Sequence, residues 1–562
     1  MSGEAGSGET APPNPIEARW GQAFPTLTPA QIARLEPHGK RIRISKGQVL
    51  AEPGDRHRLM FVILSGSVEI VRPGLAGEEL IVVHGPGQFS GEMSTLRGIA
   101  SVVRARVREE GEVLAIDGDH LRQLVQTDAE LSEIFMRAFI LRRVGLIASQ
   151  SGDVILIGSS HSAGTLRLQQ FLTRNAFPYI SIDAEKDPSA QALLERFHVS
   201  VDDIPVVLCR GETMLKNPSN EELAACLGMN PQIDDAKIRD LVVIGAGPAG
   251  LAAAVYGASE GLDVLVLEAS APGGQAGSSS KIENYLGFPT GISGQALAGR
   301  ALVQAQKFGA EITVASSAVR LRCEQRPYEI DLSDKHIVKA RAIVVATGAE
   351  YRHLAVENLE RFLNVGVYYA ATPVEARLCK AEEVIVVGGG NSAGQAAVFL
   401  AGGCRHVHVL VRSDGLANSM SRYLIRRIEE SPNITLHTRT QVSALEGGTR
   451  LERVKWRNGA GNEETREIGH VFLMTGAVPN TRWLQGCVAL DDKGFVRTGS
   501  DLHAEDLVPA QWPQARAPHL FETNWPGIFA VGDVRCGSVK RVAAAVGEGS
   551  ACVQLVHRVL HE

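Results

Sequence analysis

The chain has 562 residues, a length that predicts three or more domains. Its hydrophobic share of 44% and charged share of 21% are ordinary for a soluble globular protein. The formal net charge of −6 gives no electrostatic reason to expect nucleic-acid or anionic-membrane binding. Eight cysteines without C-x-x-C or zinc spacing predict buried single thiols in a reducing cytoplasm and not a disulfide framework. Glycine-rich uncharged runs at 241–259 and 384–404 predict buried strand–helix units, so we expect no membrane span. The first residues show no basic start followed by an apolar stretch, so we expect no signal peptide.

The first 150 residues predict a small antiparallel barrel. Residues 1–19 have the composition of a disordered tail, and residues 20–150 alternate short strand-like runs with glycine turns. The predicted strands are Arg41–Ile44, Leu59–Leu64, Ser67–Val71, Leu80–Val83, Val102–Val107 and Glu112–Ile116. A long helix is expected over Asp128–Val144. The segment Gly85–Glu92 resembles the phosphate-binding cassette of cyclic-nucleotide-binding domains, which implies a β-roll of that family.

This resemblance assigns cyclic-nucleotide contacts to Gly91 and Glu92. Backbone amides at the helix start could hold a phosphate, and the Glu92 carboxylate would accept a ribose hydroxyl. The family's phosphate-binding arginine has no counterpart in residues 99–102, because Arg97 and Arg104 are out of register. Two interpretations stay open: a retained barrel used for interaction or dimerisation, and a true nucleotide site.

Residues 151–229 resemble a thioredoxin or glutaredoxin fold without its redox motif. The predicted elements are strand Val154–Gly158, helix Leu166–Asn175, strand Tyr179–Asp183, helix Ser189–Phe197 and strand Ile204–Leu208. The resemblance implies that Pro205 is cis. Active members carry C-x-x-C at the start of the first helix, where this chain has Ser159–Gly164 with no sulfur. His161 in that segment is expected to cap the helix or face solvent, and the domain is expected to be structural or to dock a protein partner.

Residues 238–355 begin with a dinucleotide-binding motif. The apolar strand Leu241–Ile244 leads into a Gly-x-Gly-x-x-Gly turn and an alanine-rich helix. In such a turn Gly245 permits the tight bend, Gly247 lets a pyrophosphate approach, and Gly250 allows close packing of the helix. Glu268 follows the next strand, where a carboxylate binds the ribose diol. The turn with its strand, helix and acidic residue predicts dinucleotide binding.

Three further motifs resemble the thioredoxin-reductase family. They are Gly273-Gly274-Gln275 with Glu283-Asn284-Tyr285, then Ala346-Thr347-Gly348, and the second FAD fingerprint Gly527–Val534. The resemblance covers about 320 residues and implies a homodimer. The FAD contacts that it implies are Gly245, Gly247, Pro248, Ala249, Gly250, Glu268, Gly274, Gln275, Asn284, Thr347, Gly348, Gly532, Asp533, Lys540, Arg541 and Val542.

A second nucleotide fold, residues 356–478, is inserted before the last FAD segment, residues 479–562. Its glycine turn follows strand Val384–Val387 and precedes a helix and strand Val407–Val411. An arginine after that strand favours the 2′-phosphate of NADPH, although NADH stays possible. The predicted NAD(P)H contacts are Gly388, Gly390, Asn391, Ser392, Ala393, Arg412 and Arg422.

The family's dithiol is missing. Where thioredoxin reductases carry Cys-Ala-Thr-Cys, this chain has Ala370-Ala371-Thr372-Pro373. We therefore expect hydride transfer from NADPH to FAD and on to an external acceptor, which could be a quinone, oxygen or an electron-transfer protein. Tyr368 and Tyr369 are candidates for stacking on such an acceptor, although packing in the protein core is the favoured role for these aromatic side chains.

Two alternatives stay open at this point. One is a disulfide reductase that uses another thiol, with Cys379 and Cys536 as candidates. The other is a redox or cyclic-nucleotide sensor in which the N-terminal barrel gates the flavoprotein. The expected fold class is α/β, with Rossmann-like FAD and NAD(P)H domains preceded by a β-roll and a thioredoxin-like α/β domain.

Overall fold

The computed structural model describes most of the chain. The described residues are 20–55, 59–74, 77–97, 100–101, 103–148, 154–159, 162–185, 187, 203–209, 213–510, 512 and 515–562. The predicted tail at 1–19, His161 and the predicted helix Ser189–Phe197 lie outside them. The chain forms two compact units, one dominated by residues up to 155 and the other by residues from 156.

The first unit is a β-roll with a helical C-terminal part. Its elements are α1 (Trp20–Ala23), α2 (Pro29–Leu35), β1 (Lys40–Ile44), β2 (Val49–Ala51), β3 (Leu59–Gly74), β4 (Gly77–His84), β5 (Phe89–Ser90), α3 (Glu92–Arg97), β6 (Arg104–Asp117), α4 (Gly118–Thr127) and α5 (Ala129–Ala148). The sheet has the order β1-β6-β3-β4, and β2 and β5 pair with β6 and β3. Apolar residues from β3, β6, α4 and α5 share one core.

The strands of this unit are longer than the sequence predicts. Two predicted pairs of strands merge into the continuous strands β3 and β6, which pair antiparallel along most of their length. Register shifts near Ser65 let the ribbon bend without ending. Gly66 lies there with φ +77°, and a Cβ would meet the Glu109 carbonyl at 2.6 Å. The glycine that predicts a turn therefore marks a bulge.

A four-stranded sheet follows. Its elements are β7 (Val154–Gly158), α6 (Ala163–Arg174), β8 (Ile180–Asp183), β9 (Val206–Cys209), β10 (Thr213–Lys216) and α7 (Asn220–Leu227). The order is β10-β9-β7-β8. The Ile204–Pro205 bond is cis, as predicted. Helix α6 begins before the predicted Leu166, because the Ser162 hydroxyl accepts the Thr165 N–H and caps it.

The predicted FAD-binding part starts with a mixed sheet. Its first elements are β11 (Ile238–Ile244), α8 (Pro248–Ser259), β12 (Val264–Leu267), α9 (Gly274–Gly277), α10 (Gly294–Lys307), β13 (Glu311–Thr313), β14 (Ala318–Arg322), β15 (Tyr328–Leu332) and β16 (Ile337–Val345). The order is β13-β12-β11-β16-β15-β14, in which β14 and β15 run antiparallel to their neighbours. Residues 241–244 of β11 and all of β12 are buried, which explains the apolar sequences LVVI and VLVL.

The inserted nucleotide fold has its own parallel sheet of order β18-β25-β19-β20-β21. Its elements and the short strands at the domain crossing are β17 (Ala349–Tyr351), α11 (Leu359–Phe362), β18 (Val367–Tyr368), α12 (Pro373–Leu378), β19 (Glu383–Val387), α13 (Asn391–Ala401), β20 (His406–Leu410), α14 (Arg422–Glu430), β21 (Ile434–His437), β22 (Gln441–Gly447), β23 (Leu451–Arg457), β24 (Glu463–Arg466), β25 (Val471–Leu473) and β26 (Ala477–Pro479). Strands β17 and β26 pair antiparallel where the chain enters and leaves this fold.

The last segment returns to the FAD sheet through β27 (Ile528–Ala530) and α15 (Val542–His561). Strand β27 lies parallel to β16, with Ile528 opposite Ile343. The described residues include no helix with the length and apolar character needed to cross a bilayer. One cysteine prediction is wrong: Cys323 and Cys487 form a disulfide. Their separation of 164 residues leaves no spacing pattern by which sequence could pair them.

Candidate functional site

The first FAD turn has the shape of a pyrophosphate cradle. Gly245 has φ +103°, and a Cβ on it would meet the Thr347 Cα at 3.1 Å. A Cβ on Gly250 would overlap the backbone of Gly245. A Cβ on Gly247 would meet nothing nearer than the Gly274 Cα at 4.0 Å. Gly247 caps α8, whose first N–H groups lack partners within the helix. The turn therefore combines close packing on one side with an open, electropositive face on the other.

Glu268 is held rigidly beside this turn. Its buried carboxylate accepts the Ala246 N–H at 2.8 Å through Oε2, and the N–H groups of Ser270 and Ala271 at 2.9 and 3.1 Å through Oε1. Burial raises the pKa of Glu268, while these donors act in the opposite direction. Oε2 keeps a free lone pair, so the carboxylate can still accept a hydroxyl of a ribose diol.

The second FAD segment meets the first at the start of α8. Helix α15 packs so closely on α8 that a Cβ on Gly549 would lie 3.1 Å from the Ala249 Cα. A Cβ on Gly532 would lie 2.9 Å from the Ala249 Cβ. Asp533 is next in the chain, and burial raises the pKa of its carboxyl. Asp533 is thus brought to the same end of α8 as the glycine turn.

Three other predicted FAD residues gather at the domain crossing. The Gln275 amide donates to the Ala349 carbonyl at 3.0 Å, and the Thr347 hydroxyl donates to the Asn480 carbonyl at 2.9 Å. Gly348 has φ +65° and open space where a Cβ would be. This arrangement fixes the turn after β16 against the turn after β12.

Four other predicted FAD residues lie at or near the surface. Lys540 donates to the Ser538 hydroxyl at 2.8 Å and to the Asp533 carbonyl, and burial lowers its pKa. Arg541 caps α15 and is exposed, and Val542 begins that helix half-buried. Asn284 is exposed in the loop after Glu283. The FAD contacts of these four residues stay predictions.

The inserted fold has a second glycine turn. Gly388 has φ +142°, and a Cβ would meet the Ala393 Cβ at 3.3 Å. Gly390 caps α13 and has open space at its Cβ position. The Asn391 side chain accepts the Ser421 N–H at 2.8 Å. The start of α14, with the exposed Arg422, is consequently bound to this turn.

An arginine that sequence analysis missed lies near Arg412. Arg412 is exposed after β20. The Arg439 N–H donates to the Ser413 carbonyl at 3.0 Å, and its guanidinium pairs with Asp414. Arg439 follows a different strand, β21, so nothing in the local motif points to it. The parallel pairing of β20 and β21 brings both arginines to one edge, where a phosphate would find cationic partners.

Tyr351 lies close to both predicted nucleotide sites and was also missed. Ser392, at the start of α13, is near enough to the Tyr351 hydroxyl to act on its pKa. Burial raises the pKa of Tyr351, and the nearby charge of Asp533 raises it further. One residue therefore lies close to a predicted NAD(P)H contact and a predicted FAD contact. The only sequence clue is its position three residues after Gly348.

The segment that holds the former dithiol positions, 370 and 373, caps helix α12. Pro373 is the first residue of α12 and is exposed, and Ala370 is half-buried. The Thr372 hydroxyl accepts the Val374 N–H at 3.2 Å. The buried Glu375 carboxylate accepts the Thr372 N–H at 2.8 Å and its hydroxyl hydrogen. This capping box orders the segment without sulfur.

The two tyrosines before the cap have different surroundings. Tyr368 is buried, its hydroxyl lies 3.3 Å from His470 Nδ1, and its ring packs on Phe472. Tyr369 is half-buried and stacks on Tyr351 with ring centroids 6.5 Å apart. Burial raises the pKa of Tyr369 to about 12. Tyr368 is thus a core residue, while Tyr369 extends the aromatic contact of Tyr351.

The structure brings together two cysteines that spacing does not connect. The sulfur atoms of Cys379 and Cys404 are 3.6 Å apart, and both residues are buried. The hydrogen bond between them and burial raise the pKa of Cys379 well above its usual value. Burial also raises the pKa of Cys536, the third candidate thiol. Cys379 and Cys536 are therefore poor nucleophiles, because a raised pKa leaves little thiolate. The hydrogen bond with Cys379 instead lowers the pKa of Cys404.

In the β-roll, the cassette carboxylate already has a cationic partner. Glu92 is 2% exposed, and both of its oxygens lie 2.9 Å from Arg142 Nη1. The guanidinium also donates to the Ala23 carbonyl at 2.8 Å and lies over the Phe89 ring. Gly91 has φ +92° and packs against the Leu59 carbonyl. A ribose hydroxyl would have to compete with Arg142 for Glu92.

Comparison with known proteins agrees with this geometry. Residues 239–549, more than half of the chain, match the family described as pyridine nucleotide-disulphide oxidoreductase. The chain belongs to that family. Residues 41–128 match the cyclic nucleotide-binding domain, which confirms the predicted β-roll. The thioredoxin-like character of residues 151–229 stays a prediction.

Individual relatives define the subgroup. A thioredoxin reductase from Listeria monocytogenes is 31% identical over 330 residues, which cover 58% of this chain and 96% of that protein. An NADH dehydrogenase from Ferdinandcohnia aciditolerans is 29% identical over 356 residues, 62% of this chain and 63% of that protein. The Lactococcus lactis thioredoxin reductase structure in its FR conformation shares 27% identity at a TM-score of 0.51, covering 58% of this chain and all of that one.

The chain is therefore an oxidoreductase of thioredoxin-reductase type, and this type uses FAD and NADPH. The relative named as an NADH dehydrogenase keeps NADH possible as the hydride donor. These predictions from sequence are confirmed at the level of the family. The individual contact residues remain predictions, which the cradle at Gly247 and the carboxylate of Glu268 fit.

Proposed function

We propose that this protein oxidises NADPH and passes the electrons to an external acceptor that is not a disulfide. The acceptor would be a quinone, oxygen or an electron-transfer protein. The observation that carries the proposal is the capping box of Thr372 and Glu375 with Ala370 and Pro373 at the dithiol positions. This segment is ordered for a helix start and has no group that can take up electrons.

When bound, FAD accepts a hydride from NADPH and delivers two electrons to the acceptor. The chain supplies the positioning. Gly247 and the start of α8 receive the pyrophosphate, and Glu268 orients the ribose. Arg412 and Arg422 attract the 2′-phosphate of NADPH. Tyr351, which is near both Ser392 and Asp533, would lie between the two bound nucleotides.

The test is a panel of acceptors supplied to one anaerobic sample that NADPH has reduced. Oxygen, a soluble quinone, ferredoxin and a low-molecular-weight disulfide are each mixed with the reduced protein, and the visible absorbance of the flavin is followed. We expect fast reoxidation by one non-thiol acceptor and slow reoxidation by the disulfide. Fast reoxidation by the disulfide alone would overturn the proposal.

A second candidate function is disulfide reduction through another thiol pair. The observation that favours it is the 3.6 Å separation of the Cys379 and Cys404 sulfur atoms. The double substitution Cys379→Ala/Cys404→Ala tests it, with the partly exposed Cys226→Ala as a matched control for losing a thiol. Loss of disulfide turnover in the double variant alone would support the thiol route. Unchanged turnover in both variants would exclude it.

We further propose that the β-roll is an interaction or dimerisation domain and not a nucleotide-gated switch. The support is that Arg142 pairs with the cassette carboxylate Glu92. A homodimer in the cytoplasm follows from the thioredoxin-reductase resemblance. Light scattering of the full chain, with and without residues 1–150, tests both points. A monomer in each case would contradict them.

A further inference from the structure

Helix α6 contacts the flavoprotein along one stripe. Leu166, Gln170 and Arg174 are four residues apart, so they lie on the same face of the helix. Leu166 is buried in a cluster with Tyr368 and other apolar residues of the inserted fold. The Gln170 amide donates to the Glu375 carboxylate at 2.7 Å. Three successive turns of α6 thus face the redox domains.

The C-terminal end of α6 is bound at the FAD segment by polar contacts. The Asn175 amide donates to the Ser270 carbonyl at 3.1 Å. The Gln295 amide donates to the Thr173 carbonyl at 2.7 Å. Arg174 Nη2 donates to the Gly274 carbonyl at 3.2 Å. These bonds fix the last turn of α6 beside the second glycine segment.

Gly274 connects Arg174 to the pyrophosphate cradle. A Cβ on Gly274 would lie 3.1 Å from the Gly247 Cα, so the two glycine segments touch. Neither segment, 245–250 nor 273–280, contains a lysine or an arginine. A pyrophosphate there would meet backbone amides and a helix dipole, which together balance only part of its charge. The cradle lacks a cation of its own, and Arg174 stands at its edge.

The surroundings of Arg174 match a cation held for an anionic ligand. Within the described part of the chain, its guanidinium has one recorded hydrogen bond, to the Gly274 carbonyl, although a guanidinium carries five N–H donors. The nearby carboxylates of Glu268 and Glu375 act to raise the pKa of Arg174. Burial lowers the pKa of Arg174 in spite of them, so the site desolvates the guanidinium without fully pairing it.

We propose that Arg174 is an FAD-binding residue, supplied by helix α6 from outside both FAD segments, that balances the charge of the cofactor's pyrophosphate. Helix α6 is then a structural part of the cofactor site, which gives a role to a segment that has lost its redox motif. The inference rests on FAD occupying the turn at Gly247. It does not depend on which acceptor the enzyme uses.

The test measures cofactor affinity and not turnover. The full-length apoprotein is titrated with FAD, ADP and adenosine, and dissociation constants are compared for wild type, Arg174→Gln, Arg174→Lys and Gln170→Ala. The Gln170→Ala variant is the matched control, because it alters the same helix face without removing a charge. ADP carries the diphosphate and adenosine does not, so this pair separates charge balance from loss of shape.

We expect Arg174→Gln to weaken FAD and ADP binding by about ten- to hundredfold, the range for a charge-assisted hydrogen bond. Adenosine binding should be unchanged, and Arg174→Lys should recover part of the loss. Equal losses in Arg174→Gln and Gln170→Ala, or no loss of ADP affinity, would overturn the inference. If the apoprotein does not stay folded, the salt concentration at which the holoenzyme releases FAD can be compared among wild type and the same variants. If the acceptor panel contradicts the proposed function, the FAD and ADP affinities expected here do not change, because they do not depend on the acceptor.

Discussion

Thr372 and Glu375 form a reciprocal pair: the Glu375 carboxylate accepts the backbone N–H and hydroxyl hydrogen of Thr372, and the Thr372 hydroxyl accepts from the same helix start. The pair orders the chain at the two positions where thioredoxin reductases carry cysteine. Because the cap does not use the side chains of Ala370 and Pro373, the scaffold for a dithiol survives without its sulfur atoms.

This scaffold predicts that disulfide reductase activity can be restored. A thiol at position 373 would lie at the first turn of α12, where the helix N-terminus lowers thiol pKa values. We expect Ala370→Cys/Pro373→Cys to reduce a small aromatic disulfide with NADPH about tenfold faster than wild type. Ala370→Cys alone is the control, since one thiol cannot close an internal disulfide. A double variant no faster than this control would show that more than the dithiol has been lost.

The ion pair in the β-roll predicts a large stability effect. Removing Arg142 would leave Glu92 buried without a charge partner, which typically costs about 3–5 kcal/mol. We therefore expect Arg142→Met to lower the thermal midpoint of the β-roll transition in the full chain. The double substitution Glu92→Leu/Arg142→Met should recover much of the loss. Equal midpoints for Arg142→Met and wild type would mean that the pair contributes little.

His84 predicts acid sensitivity of the same unit. Burial, with the nearby charge of Arg142, lowers the pKa of His84 to about 3. Its unfolded pKa is near 6.5, so between these values the unfolded state binds a proton that the folded state excludes. Stability should fall as pH drops from about 6.5 towards 3, by up to about 1.4 kcal/mol per pH unit. Denaturant melts of wild type and His84→Gln should show a shallower pH slope in the variant, and identical slopes would refute the assignment.

The arginines after β20 predict the coenzyme preference. Arg412→Ala and Arg422→Ala should each raise KM for NADPH by about tenfold, because each removes a cation from the 2′-phosphate, and should leave KM for NADH nearly unchanged. Arg426→Ala is a matched control for Arg422, since it is an exposed arginine on the same helix. Parallel changes for NADPH and NADH would place these arginines outside the phosphate site.

The sequence predicted the parts of the fold that are written in local patterns. The turn at Gly245 and the strand ending before Glu268 each follow from a few neighbouring residues, and the cis bond at Pro205 follows from the resemblance of its short segment to thioredoxin folds. The β-roll strands were predicted too short, because Gly66 indicates a turn in sequence but forms a bulge inside β3. Local patterns thus predict whether a segment is a strand or a helix more reliably than they predict the residues at which it begins and ends.

Features that depend on distant residues could not be predicted. Arg174 reaches Gly274 across 100 residues, and the disulfide between Cys323 and Cys487 spans 164 residues. The pairing of Glu92 with Arg142 likewise depends on where α5 packs. No spacing rule encodes these contacts, because they arise when separate elements meet in the folded chain.

The number of electrons that the protein accepts tests the central claim most directly. Protein with FAD bound is titrated anaerobically with NADPH while the flavin absorbance is followed, and Cys323→Ser/Cys487→Ser is titrated in parallel to remove the structural disulfide. The account predicts complete bleaching at about one NADPH per FAD in both proteins, because a flavin takes two electrons and no redox-active disulfide adds to it. Consumption of two NADPH per FAD by the variant would reveal a second, thiol-based acceptor and contradict the account.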